Sequence, residues 1–210
     1  MMNGKLSYYY GTMGAAKSAN LLMKKFQYER NGAICILAKP KKDTRNEEVI
    51  YSRIGVQEKC ILIDAKDNLV EKMMNITEIK EYYEDITKQQ INVVLLIDEV
   101  QFLTREQIKQ LWILSNYHGI IVYCFGLKTS YNNRLFEAAS ELLAIVDPKN
   151  VHAIDSPCQR CNGEATTHLR LVNGNPVFGD EDEIVGDIVG VERYESVCQH
   201  CYDVAKRFNK

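Results

Sequence analysis

Short apolar runs alternate along this chain with longer stretches whose apolar residues recur on one side only. Leu6–Tyr10, Ala33–Ala38, Val93–Ile97 and Ile120–Phe125 are the clear runs, and Cys60–Ile63 is a weaker one. Each is short enough for a strand, and Val93–Ile97 carries no polar position, the pattern of a strand covered on both faces. Between the first two runs, Ser18 to Asn31 sets Leu21, Leu22 and Phe26 against Lys25 and Glu29, an amphipathic helix that Gly32 stops. Thr104 to Tyr117 reads as another helix, opened by a capping box of Thr104 with Gln107, and Thr77 to Thr87 as a third. Strand, helix and strand in repetition predict an α/β fold, a parallel sheet with helices on both faces. Pro148, followed by a shift towards Cys, Asn, Gly and acidic residues, places a boundary near residue 150. The chain is thus expected to divide into residues 1–150 and a smaller segment, 151–210.

Composition narrows the class. With 210 residues and 46% apolar content, the chain can bury one good core and a small appendage. No apolar run approaches the ~20 residues that span a bilayer, and Met1–Lys5 lacks the apolar stretch of a secretory signal, so a cytoplasmic location without membrane attachment is expected. A formal net charge of −2 gives no field to gather a polyanion; nucleic acid is not favoured as a partner, and small charged ligands stay open. Of the seven cysteines, Cys35, Cys60 and Cys124 lie in apolar runs, where Cys behaves as a small hydrophobe.

Three motifs carry chemistry. Gly11-Thr12-Met13-Gly14-Ala15-Ala16-Lys17-Ser18 stands between a strand and a helix, where backbone N–H groups and a helix N-terminus can enclose phosphates. Lys17 would reach the β- and γ-phosphates and Ser18 would offer its hydroxyl to Mg²⁺. The usual loop has Gly before the Lys; here it is Ala16, whose Cβ crowds a turn needing close backbone approach. The plainer reading is a chance strand-to-helix turn. Val93–Ile97 then ends in Asp98 and Glu99, which a parallel sheet delivers to the edge bearing the phosphate loop. Asp98 would hold Mg²⁺ and Glu99 would accept a proton from the attacking group; two solvated acids at a strand end are the alternative. Last, Cys158/Cys161 and Cys198/Cys201 form two Cys-x-x-Cys knuckles, a spacing suited to one structural Zn²⁺ on four thiolates, with disulfides or a redox pair as the other readings. His200 inside the second knuckle reads as a bystander, and His118, His152 and His168 as surface or packing residues.

Several blocks, in this order, resemble the thymidine kinases that join a P-loop domain to a zinc-bearing lasso domain. They are Tyr10–Ser18, Lys39-Pro40 with Asp43-Thr44-Arg45, Ile97–Phe102, Gly126-Leu127, the two knuckles and Glu192–Cys198. The resemblance implies a P-loop NTPase (RecA-like) core with a small C-terminal zinc-ribbon, or lasso, domain closing over a nucleoside. It implies transfer of the γ-phosphoryl of ATP to the 5′-hydroxyl of thymidine or deoxyuridine, giving the monophosphate in nucleoside salvage, with Mg²⁺ and a structural zinc. A homotetramer and feedback inhibition by thymidine triphosphate are implied as well. By position, Glu99 looks like the base; Gly11–Ser18, Asp98 and Arg45 look like the ATP and phosphate group, with Ser18 and Asp98 on Mg²⁺. Met13, Gln101, Phe102, Leu127, Tyr131, Val189 and Tyr194 look like the nucleoside site.

Two stretches depart from that pattern. Thr129–Arg134 replaces the Asp-Phe-Arg-Gly that resembling bacterial enzymes carry after Gly-Leu, and the segment from the acidic run Asp180–Glu183 through Ile184-Val185-Gly186 is longer, as a solvated acidic loop would be. Two other functions use the same residues: an ATPase in which Glu99 orients water, and a catalytically weakened nucleotide-binding relative marked by Ala16.

Overall fold

The computed structural model describes residues 4–43, 48–84, 92–179 and 192–208. The chain enters through β1 (Lys5–Gly11), turns into α1 (Lys17–Glu29) and returns along β2 (Ile34–Pro40). A hairpin of β3 (Val49–Tyr51) and β4 (Gln57–Lys59) precedes β5 (Ile61–Ile63), α2 (Leu69–Met74) and α3 (Thr77–Glu84). The third helix read from the sequence therefore has its first eight residues here, while its expected end at Thr87 lies outside the described residues. Next come β6 (Val93–Ile97), α4 (Arg105–His118), β7 (Ile121–Gly126), α5 (Glu137–Ile145) and β8 (Val151–Ile154).

Six strands form one parallel sheet in the order β5-β2-β6-β7-β1-β8. One strand, β7, separates β1 from β6, the two strands that end in the phosphate-loop and Asp-Glu motifs. This is the RecA-like P-loop arrangement. Because all strands run the same way, both motifs emerge at the same sheet edge.

The side chains of β6 explain why that strand is central. Val94 and Leu96 pack with Leu21 and Leu22 of α1 on one face, whereas Leu95 and Ile97 join Ile108, Leu111 and Leu114 of α4 on the other. With no exposure at Leu96, truncation to Ala there would cost about 2–5 kcal/mol through lost burial and a cavity. The Thr104 capping box forms as expected: the Thr104 hydroxyl accepts from the Gln107 amide and the Gln107 side chain accepts from the Thr104 amide.

Beyond residue 150, the sheet continues where the composition shift suggested it would stop. Val151–Ile154 pairs in parallel with Tyr8–Gly11, so β8 is an edge strand of the main sheet. The remainder forms a separate antiparallel sheet of β9 (Thr167–Val172), β10 (Asn175–Pro176) and β11 (Glu192–Val197), closed by α6 (Gln199–Phe208). Its core is a small cluster of Cys158, Leu169, Leu171, Val197, Tyr202 and Ala205. No helix among the described residues is long and apolar enough to cross a membrane.

Candidate active site

The loop between β1 and α1 is shaped by close backbone approaches and left-handed turns. A Cβ on Gly11 would stand 2.7 Å from the Ile154 carbonyl oxygen, so only Gly lets β1 and β8 close up here. Thr12 and Ala15 are buried, and the Ala15 amide donates back to the Thr12 carbonyl at 3.1 Å. Gly14 takes φ +80°, and Ala16 takes φ 55°, a left-handed conformation at the start of α1. The Ala in place of the usual Gly therefore holds a left-handed conformation that costs a residue with a Cβ about 1–2 kcal/mol.

Lys17 is buried, and its ammonium donates to the Thr12 carbonyl at 2.9 Å and to that of Gly11 at 3.3 Å. The loop thus turns its own lysine back onto its backbone at the cleft wall. Ser18 donates its hydroxyl to Asp98 Oδ2 at 2.6 Å, joining the two motifs across 80 residues of sequence. Burial first, and then the charge of Glu99, push the Asp98 carboxyl up to about 6, while Ser18 and Lys17 pull it back. A buried carboxylate disfavoured in this way beside a serine hydroxyl is a donor pair that suits a divalent cation.

Glu99 follows with φ 50°, the second non-Gly residue of the site in the left-handed region. Strain of this kind persists where surroundings over-determine it. Here Gln101, almost fully buried, donates its amide to Glu99 Oε2 and accepts from the Leu127 amide at 2.9 Å. Gly126 permits this, since a Cβ would collide with Gln101 Oε1 and stand 2.9 Å from Val100 Cγ1.

Together these groups border a cleft of about 210 Å³. Its walls include Lys17, Ser18 and Glu99 and the expected nucleoside residues Met13, Gln101, Phe102, Leu127, Tyr131 and Tyr194. Phe102 meets Phe136 edge to face, and the Tyr131 and Tyr194 rings lie 6.3 Å apart. A buried ion pair between Arg170 and Glu192 backs the two tyrosines: Tyr194 donates to Glu192 at 3.0 Å, and the Arg170 guanidinium sits 5.3 Å from the Tyr131 ring. Arg45, Val189 and the acidic stretch from Asp180 lie outside the described residues.

Away from the cleft, the Sγ atoms of Cys158, Cys161, Cys198 and Cys201 all lie within 4.8 Å of one another, a group able to hold a metal ion. Burial alone would raise the Cys158 thiol, but backbone amides of Cys198, Arg160 and Cys161 aimed at it bring it down to about 6. Cys201 N–H also donates to Cys198 Sγ at 3.4 Å. Amides turned towards clustered sulfurs fit thiolate ligands of a cation such as zinc.

The thymidine kinase family model matches residues 4–202. The chain belongs to the thymidine kinase family. It is 33% identical over 196 residues to a thymidine kinase of Rhodopirellula baltica, covering 93% of this chain and 86% of that protein. A Streptococcus thermophilus thymidine kinase is 35% identical over 196 residues, covering 93% and 91%, and one from Encephalitozoon cuniculi is 32% identical over 203 residues, covering 96% and 88%.

Two contributors to this thymidine kinase cleft escaped the sequence reading. The β3–β4 hairpin brings Tyr51, Ser52, Arg53 and Ile54 to it, and Arg53 Nη1 stands 4.0 Å from where a Cβ on Gly14 would be. Turn chemistry was the available signal: Gly55, at φ +89°, closes the hairpin tip between two short strands. His168, read as an ordinary packing residue, is buried but lines the cleft, and its Nε2 accepts the Met13 amide at 2.8 Å. No local signal announces a partner 155 residues away.

Proposed function

We infer that this chain is an ATP-dependent thymidine kinase in which Glu99 acts as general base. The observation that carries this reading is the meeting of Ser18 with Asp98, which sets the phosphate loop and the Asp-Glu strand end around one cleft. In this reading the 5′-hydroxyl of thymidine, or of deoxyuridine, gives its proton to the Glu99 carboxylate as its oxygen attacks the γ-phosphorus of ATP. The bond from that phosphorus to the bridging oxygen breaks, leaving ADP and the nucleoside monophosphate.

Each expected site residue then has a task. Lys17 leaves the Thr12 carbonyl for the phosphates, and Gly11 to Ser18 with Arg45 surround them. Ser18 and Asp98 would hold Mg²⁺, which when bound neutralises charge on the phosphate oxygens. Gln101 keeps Glu99 aimed by its amide donation. Met13, Phe102, Leu127, Tyr131, Val189 and Tyr194 enclose the base and sugar, excluding water from the transfer. Residues 1–150 with β8 form the nucleotide-binding body, and the rest of 151–210 closes over the nucleoside. Cys158, Cys161, Cys198 and Cys201 would hold Zn²⁺, which fills a closed structural site and gives no open position for chemistry. Homotetrameric assembly, inhibition by thymidine triphosphate and a cytoplasmic location complete the proposal.

The test is transfer of labelled γ-phosphate from ATP with Mg²⁺ to thymidine, with the other nucleosides as controls and Lys17→Ala and Glu99→Gln alongside. Thymidine-dependent product lost in both variants is the expected result. ATP hydrolysis indifferent to nucleoside would instead make Glu99 a water-orienting residue.

A further inference from the structure

The third residue of the phosphate loop is gripped from outside the loop. Met13 donates its amide to His168 Nε2 at 2.8 Å, and its carbonyl accepts the Ser196 hydroxyl at 2.6 Å. His168 on β9 and Ser196 on β11 are register partners across the antiparallel ladder, and both are at most 5% exposed. Next to them, the Thr12 and Ser156 hydroxyls share a hydrogen bond of 2.6 Å. We propose that His168 and Ser196 are positioning residues for the phosphate loop, clamping the peptide planes on either side of Met13 so that the C-terminal sheet sets where the loop amides and carbonyls point.

Peptide geometry supplies the reason. In a trans peptide the carbonyl and the amide point in opposite directions. With the Met13 amide turned to His168, the Thr12 carbonyl faces away from that sheet, and it is this carbonyl that receives the Lys17 ammonium at 2.9 Å and the Ala15 amide at 3.1 Å. With the Met13 carbonyl turned to Ser196, the Gly14 amide must point away from Ser196. The clamp thus fixes two consecutive planes in a turn where Gly14 has φ +80°, a conformation with little stiffness of its own.

The clamp is itself anchored at the cysteine cluster. The Ser196 amide donates to the Gln159 side chain at 2.7 Å, and the Gln159 amide donates to the Ser196 carbonyl at 2.9 Å. Gln159 lies between Cys158 and Cys161, and Ser196 lies two residues before Cys198. A continuous path of hydrogen bonds therefore runs from the knuckles through Ser196 to the loop. The C-terminal segment acts on the phosphate donor as well as on the nucleoside, which extends the kinase reading on which this inference rests.

The test uses the full-length, zinc-replete chain and calorimetric binding of a non-hydrolysable ATP analogue with Mg²⁺. Ser196→Ala and His168→Leu are each expected to weaken binding by about threefold to tenfold, the range for one neutral hydrogen bond, with zinc content unchanged. His168→Gln, which restores an acceptor, recovers most of the loss. Full affinity in both variants overturns the clamp, and so does a loss that appears only together with loss of zinc, since that marks a merely structural role. If the unmodified chain binds the analogue but does not phosphorylate thymidine, the kinase reading fails while the calorimetry still decides the clamp.

Discussion

The two larger sheets of this molecule are held together by different means. The parallel sheet is covered on both faces by helices, with β6 buried along its whole length, and is held by two apolar layers. Among the described residues, the antiparallel sheet packs a cluster of six buried residues, one of them a cysteine of the metal-type group. A cluster that small buries little apolar surface to offset its ordering entropy, so its stability is expected to lean on a staple and on its contacts with the body. The body therefore carries the cleft on a frame of its own apolar layers, whereas the C-terminal part gathers four cysteines able to hold a metal ion.

The sharpest way to break this contrast is to remove the staple. Cys158→Ser, or chelation, is expected to unfold the antiparallel sheet while the parallel sheet keeps its own thermal transition. Zinc affinity on the order of 10 kcal/mol is folding free energy in such modules. One cooperative transition, lost as a whole, would show that the two sheets fold as a unit. Glu99→Gln addresses the other side of the comparison: transfer should fall by ~10²-fold or more with melting temperature and ATP binding retained, since only a proton acceptor is removed from a rigid edge. Near-normal turnover takes Glu99 out of that role.

The junction between the sheets should respond to acid. Burial, and then the Lys17 charge, push His168 down to about 3, against about 6.5 for an unperturbed His. The folded-state value is the lower one, so the neutral form is the form that folds. Stability is unaffected well above pH 6.5 and falls as the pH drops below it, by up to about 1.4 kcal/mol per pH unit, because only the unfolded chain takes up the proton. His168→Gln should flatten that part of the profile in denaturant titrations between pH 6.5 and 4.5; an unaltered slope would mean that His168 is not held neutral. The smallest effect is expected in the loop. Ala16→Gly relieves a left-handed alanine and should raise stability by about 1 kcal/mol, with unchanged denaturant dependence.

What could be read from the sequence follows the same division. β6 was legible because a strand buried on both faces is a continuous apolar run, and β1 because it leads into a contiguous phosphate-loop motif. β8 was not, since Val151–Ile154 is only four residues long with a His inside it, and nothing but its pairing to β1 makes it a strand. The cysteine group was legible from spacing alone. Arg170 and Glu192 were not, because each looks like a surface charge until β9 and β11 bring them together as a buried pair. Gln101 was placed against the nucleoside, and it does border the cleft, but its amide is committed to Glu99 and Leu127 through a contact that only the approach of Gly126 creates.

The strand β8 has one more consequence. Ile154 is paired beside Gly11, and only Asp155, Ser156 and Pro157 separate it from Cys158. The first knuckle is therefore leashed within a few residues of the phosphate loop, at a local concentration that a separate polypeptide would need millimolar amounts to match. Any displacement of the antiparallel sheet from the loop is limited at this corner to the length of that leash.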